Sequence, residues 1–328
     1  MTLTVYQTTE TNPWRNLAAE ELLLTMVQPG QVILYLWQND NTVVVGRNQN
    51  AWRECNVDLL EQDGGRLARR LSGGGAVYHD MGNQNFTFIA RKAKYDLAKQ
   101  TEVIRLAARQ FGIEAVRSGR NDILAEGRKF SGNAFYRAGD FYYHHGTILM
   151  NSDMQKLGKY LNPSPEKLAG KGVTSVQARV VNLCQLAPQI TPQAMQSALV
   201  KAFGSVYGAP VQTLASTALP AQKWNKLTEK HASAQWRMGK PFAYTARVGG
   251  RLSVGEVEIL LQAREGKIEE AKVFTDAMDT DWTEIVAAAL QGIKLDEKVI
   301  EASLACLSKQ MDGDFLQELA RLTKRLFV

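Results

Sequence analysis

Arg69-Arg70-Leu71-Ser72-Gly73-Gly74-Gly75-Ala76-Val77-Tyr78-His79-Asp80 runs a basic pair into three glycines and then into an apolar segment ending in His-Asp. Glycine leaves backbone N–H groups unscreened and admits positive φ, so such a loop can wrap an anion closely. The adjacent arginines offer a planar fork to phosphate or carboxylate. Neither standard phosphate signature is present. No Gly-x-x-x-x-Gly-Lys-[Ser/Thr] occurs, and Tyr78 stands where a dinucleotide fingerprint beginning at Gly73 needs its last glycine. Alone, the loop suits an anion cradle and a glycine-rich bend beside solvated arginines equally well.

A chain of 328 residues can bury a substantial core and form two domains, and 45% hydrophobic with 22% charged residues is ordinary for a soluble globular protein. The net charge of +6 is dispersed, with no long Lys/Arg block, so it does not indicate nucleic acid. An acidic substrate or partner protein suits its sign. Three distant cysteines, Cys55, Cys184 and Cys306, give neither a disulfide framework nor a zinc spacing, as expected in a reducing cytoplasm. Met1–Tyr6 lacks the basic start and apolar core of a signal peptide, and no run approaches the roughly 18 apolar residues of a membrane span. The expectation is a soluble, cytoplasmic protein, taken to be a monomer.

Asn12-Pro13-Trp14 reads as a helix start, Asn12 capping and Pro13 opening a helix that carries Trp14, Leu17, Ala18 and Leu22 on one face. Val32–Trp37 and Thr42–Val45, separated by Asn39-Asp40-Asn41, read as a buried hairpin. Further strands are expected at Asn85–Ile89, on both sides of Glu126-Gly127, and from Phe141 to Met150. Helices are expected from Asp96 to Phe111, Met154 to Tyr160 and Pro192 to Phe203. Irregularly interspersed helices favour an α+β fold with a large mixed, mostly antiparallel sheet over a doubly wound one. Past Thr245–Gly250 come alternating strands, Val254–Leu261 and Ile268–Phe274, and three amphipathic stretches, Trp282–Ile293, Asp296–Leu307 and Asp314–Leu326. The division expected is 1–245 and 250–328, the second part a small α+β domain.

Three groups of residues extend the reading: Arg70 with Ser72–Tyr78; Ser118-Gly119-Arg120-Asn121-Asp122 followed by Gly127-Arg128-Lys129-Phe130-Ser131-Gly132-Asn133-Ala134; and His144-His145-Gly146-Thr147. Together they resemble the lipoate–protein ligases of the biotin/lipoate ligase superfamily. The likeness continues at Asn12–Ala18, Gly46-Arg47-Asn48-Gln49-Asn50 and Lys171-Gly172-Val173-Thr174-Ser175-Val176. It is dense over about the first 185 residues and looser around Val273–Asp276. The resemblance implies a catalytic domain of that type with a small C-terminal accessory domain that covers the site and moves between half-reactions, with a hinge expected within Thr245–Arg251. It implies lipoate and ATP converted to lipoyl-AMP and pyrophosphate, and then transfer of the acyl group to a lysine. The implied acceptors are lipoyl domains of 2-oxoacid dehydrogenase E2 subunits and the glycine-cleavage H protein, octanoate being a possible second acid. ATP with Mg²⁺ is a substrate, and no tightly bound cofactor, nucleic acid or membrane is implied. Such chemistry needs fixed positive charge and aimed N–H dipoles to bring a carboxylate to an α-phosphate.

By the same resemblance, Lys129 is the catalytic lysine that contacts acyl carbonyl and phosphate; alone it would read as one solvated cation of 39. Arg70 is assigned to the ligand carboxylate or phosphate. Gly75, Ala76, Val77 and Tyr78 are assigned to the adenylate, and Ser72 and Gly74 to the acyl end of the groove. Asp122 reads both as a Mg²⁺ or ribose ligand and as an Asx turn. His79 and His145 match positions facing the acyl chain, where ordering by hydrogen bonds fits better than a base role. Leu17, Trp37 and Val44 match the tunnel lining, although each alone reads as core. Departures from the family pattern are Leu71, where a polar residue is expected, and Gln177, where a basic one is common; the Asp122–Lys129 hairpin is also shortened.

Two relatives in chemistry and one binder compete with this reading. An octanoyltransferase needs a thiolate beside the lysine, and no cysteine lies between Gly127 and Thr147. A biotin ligase loop alternates Gly and Arg, unlike Arg70–Gly75. A silent acyl-binding scaffold would not need both Lys129 and Arg70.

Overall fold

The computed structural model describes residues 1–119, 121–162 and 180–327. Arg120 and Lys171–Val176 with Gln177 lie outside the described residues. An eight-stranded sheet organises the first two thirds of the chain. Its strands are β1 (Thr2–Gln7), β2 (Gln31–Trp37), β6 (Asn83–Arg91), β7 (Ala115–Ser118), β8 (Asp122–Ala125), β9 (Arg128–Ala138), β10 (Phe141–Leu149) and β11 (Val211–Thr213). Their order is β11-β1-β2-β6-β10-β9-β8-β7. The two pairings made by β1 are parallel and the rest antiparallel, so the sheet is mixed and mostly antiparallel.

Helix α1 (Pro13–Met26) starts where the cap is placed by sequence: Asn12 Oδ1 accepts from Trp14 N at 2.9 Å, satisfying an N–H the helix leaves orphaned. The Glu126-Gly127 turn has both φ positive, 49° and 73°, the handedness that lets β8 and β9 twist together as a hairpin. The other predicted hairpin does not form. Val32–Trp37 is β2 of the large sheet, whereas β3 (Thr42–Val45) is the centre of a second sheet between β4 (Arg66–Arg69) and β5 (Val77–His79). Both runs are buried and, Thr42 apart, apolar, so each needs a neighbour on both edges. Between them, Asp40 N donates to Thr11 O, and Asn16 Nδ2 donates to Gln38 O and Asn39 Oδ1, which holds the crossover open.

One face of the large sheet packs Val32, Leu34, Phe86 and Phe88 against a helix at Leu97–Arg109 and another at Pro192–Tyr207. The opposite face carries Tyr35, Trp37, Ile89 and Tyr143 toward α1 and the small sheet, in one cluster with Val44, Ala68 and Leu71. Leu71 is therefore apolar for a packing reason. A third sheet, β12 (Ala246–Leu252), β13 (Gly255–Arg264) and β14 (Lys267–Thr275), packs with helices at Trp282–Leu290, Glu297–Ala305 and Gly313–Lys324 around a separate core. The predicted hinge is instead strand: Ala246 to Leu252 pair in full register with Leu261 to Gly255, which fixes their backbone. No described helix is long and apolar enough to cross a membrane.

Candidate active site

A cavity of about 170 Å³ opens between the large sheet and the small one. It brings together most of the residues singled out in the sequence: Leu17, Trp37 and Val44 on its apolar side, Arg70 and Gly75-Ala76-Val77 on the loop, and His79, Lys129 and His145. Thr147, named in the sequence only as the end of the His144–Thr147 group, also lines it, as do Asn85 and Met278, which sequence reasoning did not single out. Asn85 and Thr147 are register partners on β6 and β10. Met278 comes from the C-terminal part, just past the Val273–Asp276 stretch of the resemblance, to which no site role was attached. Tyr78, assigned to the adenylate, turns its side chain away: strand alternation sends Val77 and His79 into the cavity. The Tyr78 ring instead packs on Tyr160, with its hydroxyl donating to Asn41 Oδ1 at 3.0 Å. Only its backbone is left for a ligand. Ser72, Gly74 and Asp122 stand immediately behind the lining.

Arg70 is 5% exposed, and its guanidinium is spent on the loop itself. Nη2 donates to Gly73 O and Gly75 O, both at 2.7 Å, Nη1 to Val44 O at 3.2 Å, and Nε to Ser72 Oγ at 3.0 Å. Burial pulls its pKa down to about 10, which leaves it charged at neutral pH. Arg69, the next residue back, does the same outward. It donates to Gly46 O, Arg47 O and Gln49 O, and to Trp236 O, while Trp236 Nε1 donates back to Arg69 O at 2.9 Å. Gly75 and Ala76 N–H have no partner among the described residues. Gly74, at φ +88°, donates its N–H to Ala277 O (2.9 Å) across to the C-terminal part, and Thr275 N donates to Asn48 O (2.9 Å) beside it.

Lys129 lies on β9 where the strand leaves the hairpin. Its Nζ is 2.7 Å from Asp122 Oδ1, both side chains about one third exposed. Gly132 lies under the lysine: a Cβ there would stand 2.9 Å from Nζ and 3.0 Å from Cε. The ammonium therefore reaches the cavity only across a bare backbone. Asp122 suits magnesium as one carboxylate ligand, the rest coming from phosphate and water, as that ion prefers. Among the described residues no group of three His, Cys, Asp or Glu forms a protein-only metal site.

A buried chain of hydrogen bonds backs the apolar side of the cavity. Arg70 Nε reaches Ser72 Oγ, Ser72 Oγ meets His145 Nε2 at 2.8 Å, and His145 Nδ1 meets Glu20 Oε1 at 2.8 Å. Thr87 Oγ1 donates to the same Glu20 oxygen at 2.7 Å and accepts from Trp37 Nε1 at 3.0 Å. Glu20 is 1% exposed and was not singled out by sequence beyond its place on α1. His79 is held neutral, burial and the neighbouring Arg70 charge pulling its pKa to about 3. The cysteines stand apart from the cavity. Burial pushes the Cys55 thiol up to about 12, the opposite of an activated nucleophile.

Residues 12–204 match the family model of the lipoyl protein ligase A/B catalytic domain, and residues 242–322 that of the bacterial lipoate protein ligase C-terminus. The chain is 40% identical to lipoate-protein ligase A of Psychrobacter cryohalolentis over 317 residues, 94% of each chain. It is 28% identical to P. falciparum LipL1, whose crystal structure is in complex with lipoate. That match covers 97% of this chain and 98% of that one, with a TM-score of 0.81. The bi-partite lipoate protein ligase of Thermoplasma acidophilum, analysed with its E2 lipoyl domain, matches at 25% identity over 75% of this chain and 99% of that one, with a TM-score of 0.65. Matches to both halves, and 40% identity along nearly the whole length, place the chain in the lipoate–protein ligase family.

Proposed function

We propose that the cavity binds lipoate and ATP, that the chain joins them as lipoyl-AMP, and that it then passes the lipoyl group to a lysine. In the first step a lipoate carboxylate oxygen attacks the α-phosphorus and pyrophosphate leaves. In the second, the neutral ε-amine of an acceptor lysine attacks the acyl carbon, AMP leaves, and the amine gives up a proton. The acceptors are lipoyl domains of E2 subunits and the glycine-cleavage H protein, in the salvage of free lipoate in the cytoplasm by a monomer. Residues 1–245 carry the chemistry and 250–328 form the accessory unit.

The observation that carries this reading is the meeting of Lys129, the unclaimed N–H groups of Gly75 and Ala76, and an apolar recess in one cavity. Charge that develops on the α-phosphate oxygens faces an ammonium and two aimed dipoles, so stabilisation is present before the reaction starts. Arg70 adds its charge from behind and fixes the loop. Magnesium, carried in on the nucleotide, would neutralise phosphate charge with Asp122 as its protein ligand.

The test is lipoate-dependent exchange of labelled pyrophosphate into ATP. Exchange by the wild type that collapses about a hundredfold or more in Lys129→Ala is expected. No exchange in either protein would overturn adenylation.

A further inference from the structure

We propose that His79 and Asn85 form a pair of hydrogen-bond donors at the far end of the acyl cavity, selecting a chain that ends in sulfur, the dithiolane of lipoate, over a plain alkyl chain of equal length. The proposal rests on the reading of this cavity as the lipoate site. It starts from two buried polar atoms without partners among the described residues, His79 Nε2 and Asn85 Nδ2, on residues 3% and 1% exposed that both line the cavity.

The proton on His79 is located by a chain of fixed amides. Asn16 Nδ2 donates to two backbone carbonyls, Glu10 O and Gln38 O, which sets that amide's orientation. Asn16 Nδ2 also approaches Asn39 Oδ1 at 3.0 Å, so the Asn39 oxygen faces Asn16 and its Nδ2 faces His79 Nδ1 at 3.2 Å. His79 Nδ1 therefore accepts, the ring is neutral with its proton on Nε2, and that N–H has no acceptor among the described residues. Asn85 Oδ1 is taken by Asn83 Nδ2 at 2.8 Å, leaving the Asn85 NH₂ as the second unmatched donor. Trp37 stands edge-on to His79 with centroids 6.2 Å apart and closes the apolar wall.

Position selects the end of the ligand these donors meet. The line from Lys129 runs across the sheet through Gly132 and Thr147, which meet at Gly132 N to Thr147 Oγ1, then Asn85, then Trp37. From β9 to β2 that is three inter-strand spacings, about 14 Å. A carboxylate held by Lys129 thus sends its distal atoms toward Asn85, Trp37 and His79. An alkyl chain would displace water from both donors and return nothing, whereas dithiolane sulfur is a weak acceptor. A site with buried polar groups rejects the analogue lacking the partner more strongly than an apolar slot rejects a changed shape.

Calorimetric binding of lipoate and octanoate to the full chain reads this directly, as a ratio of affinities within one preparation, so that loss of folded protein cancels. Wild type should favour lipoate about tenfold or more. The ratio should shrink severalfold in His79→Phe and in Asn85→Leu, and less in His79→Gln, which keeps an N–H donor. A wild-type ratio near one, or a ratio unmoved by both His79→Phe and Asn85→Leu, overturns the proposal. Pyrophosphate exchange on the same samples separates the two readings. A lipoate preference without exchange defeats adenylation alone, and exchange with an unmoved ratio defeats the donor pair alone. Failure of both acids to bind defeats both.

Discussion

Replacing Gly132 by alanine tests whether Lys129 acts from the place the structure gives it. The added methyl would lie 2.9 Å from Nζ and 3.0 Å from Cε, where ordinary contact needs 3.4 Å or more. The obstacle is the free end of a flexible side chain, so the lysine moves instead of the sheet, by roughly 0.5–1 Å. A residue about one third exposed can make that move at little cost to folding, and the change in unfolding free energy should stay within about 1 kcal/mol. The 2.7 Å contact with Asp122 is lost, however, and the ammonium leaves the line of the developing charge. Misplacement by about 1 Å is worth on the order of a hundredfold in rate, and complete loss of one such donor 10²–10³. Lipoate-dependent pyrophosphate exchange should fall about a hundredfold while the urea midpoint barely moves. Exchange within threefold of wild type would refute the placement of Lys129. An unfolding free energy lowered by several kcal/mol would refute the claim that the lysine is what yields.

Arg70→Lys keeps the charge but replaces a fork that holds Val44 O, Gly73 O, Gly75 O and Ser72 Oγ with three donors on a point; stability should drop by about 3 kcal/mol or more in urea unfolding, and a drop under 1 kcal/mol would show that the loop does not need the fork. Burial holds both His79 and His144 at a pKa of about 3, below the unfolded value of about 6.5, so the unfolded chain binds more protons between those limits and stability is lost as pH falls. From pH 6 to pH 5 the unfolding free energy should fall by about 2 kcal/mol, with His144→Phe removing about half of this; a flat profile would contradict neutral burial. Among the cysteines, exposed Cys306 should alkylate first at pH 8 and buried Cys55 last, with pyrophosphate exchange unaffected by the fast phase. Loss of exchange in step with thiol modification would instead favour acyl transfer through a cysteine.

What was legible in the sequence was what local chemistry decides. The Asn12 cap and the Glu126-Gly127 turn are set by residues within four positions, and both form where expected. The lining residues Leu17, Trp37, Val44, His79, Lys129 and His145 were named through a resemblance between motifs; each alone was indistinguishable from core or surface. Long-range pairing was not legible. Thr2–Gln7 enters the sheet as a parallel strand because β2 needs a second neighbour, and β2 and β3 part because each is buried on both sides. The orientation of Tyr78 followed from strand alternation, once β5 was known to pair with β3. Ala277 and Met278, which close on Gly73 and Gly74, lie about 200 residues away, and the loose resemblance at Val273–Asp276 beside them says nothing of that contact.

The two adjacent arginines have a consequence for how the glycine loop is polarised. A trans peptide carries its C=O and N–H on opposite edges, so each carbonyl drawn toward a guanidinium turns the next residue's N–H away from it. Arg70 takes Gly73 O and Gly75 O, which turns the amides of Gly74 and Ala76 outward, and Arg69 gathers the carbonyls of Gly46, Arg47 and Gln49 behind them. The carbonyls of Gly73 and Gly75 are thereby held to the protein, the Gly74 N–H is taken by Ala277 O, and the Ala76 N–H is left without a partner among the described residues. Peptide orientation in this loop is thus set by two buried side-chain cations, one of which, Arg70, also lines the cavity.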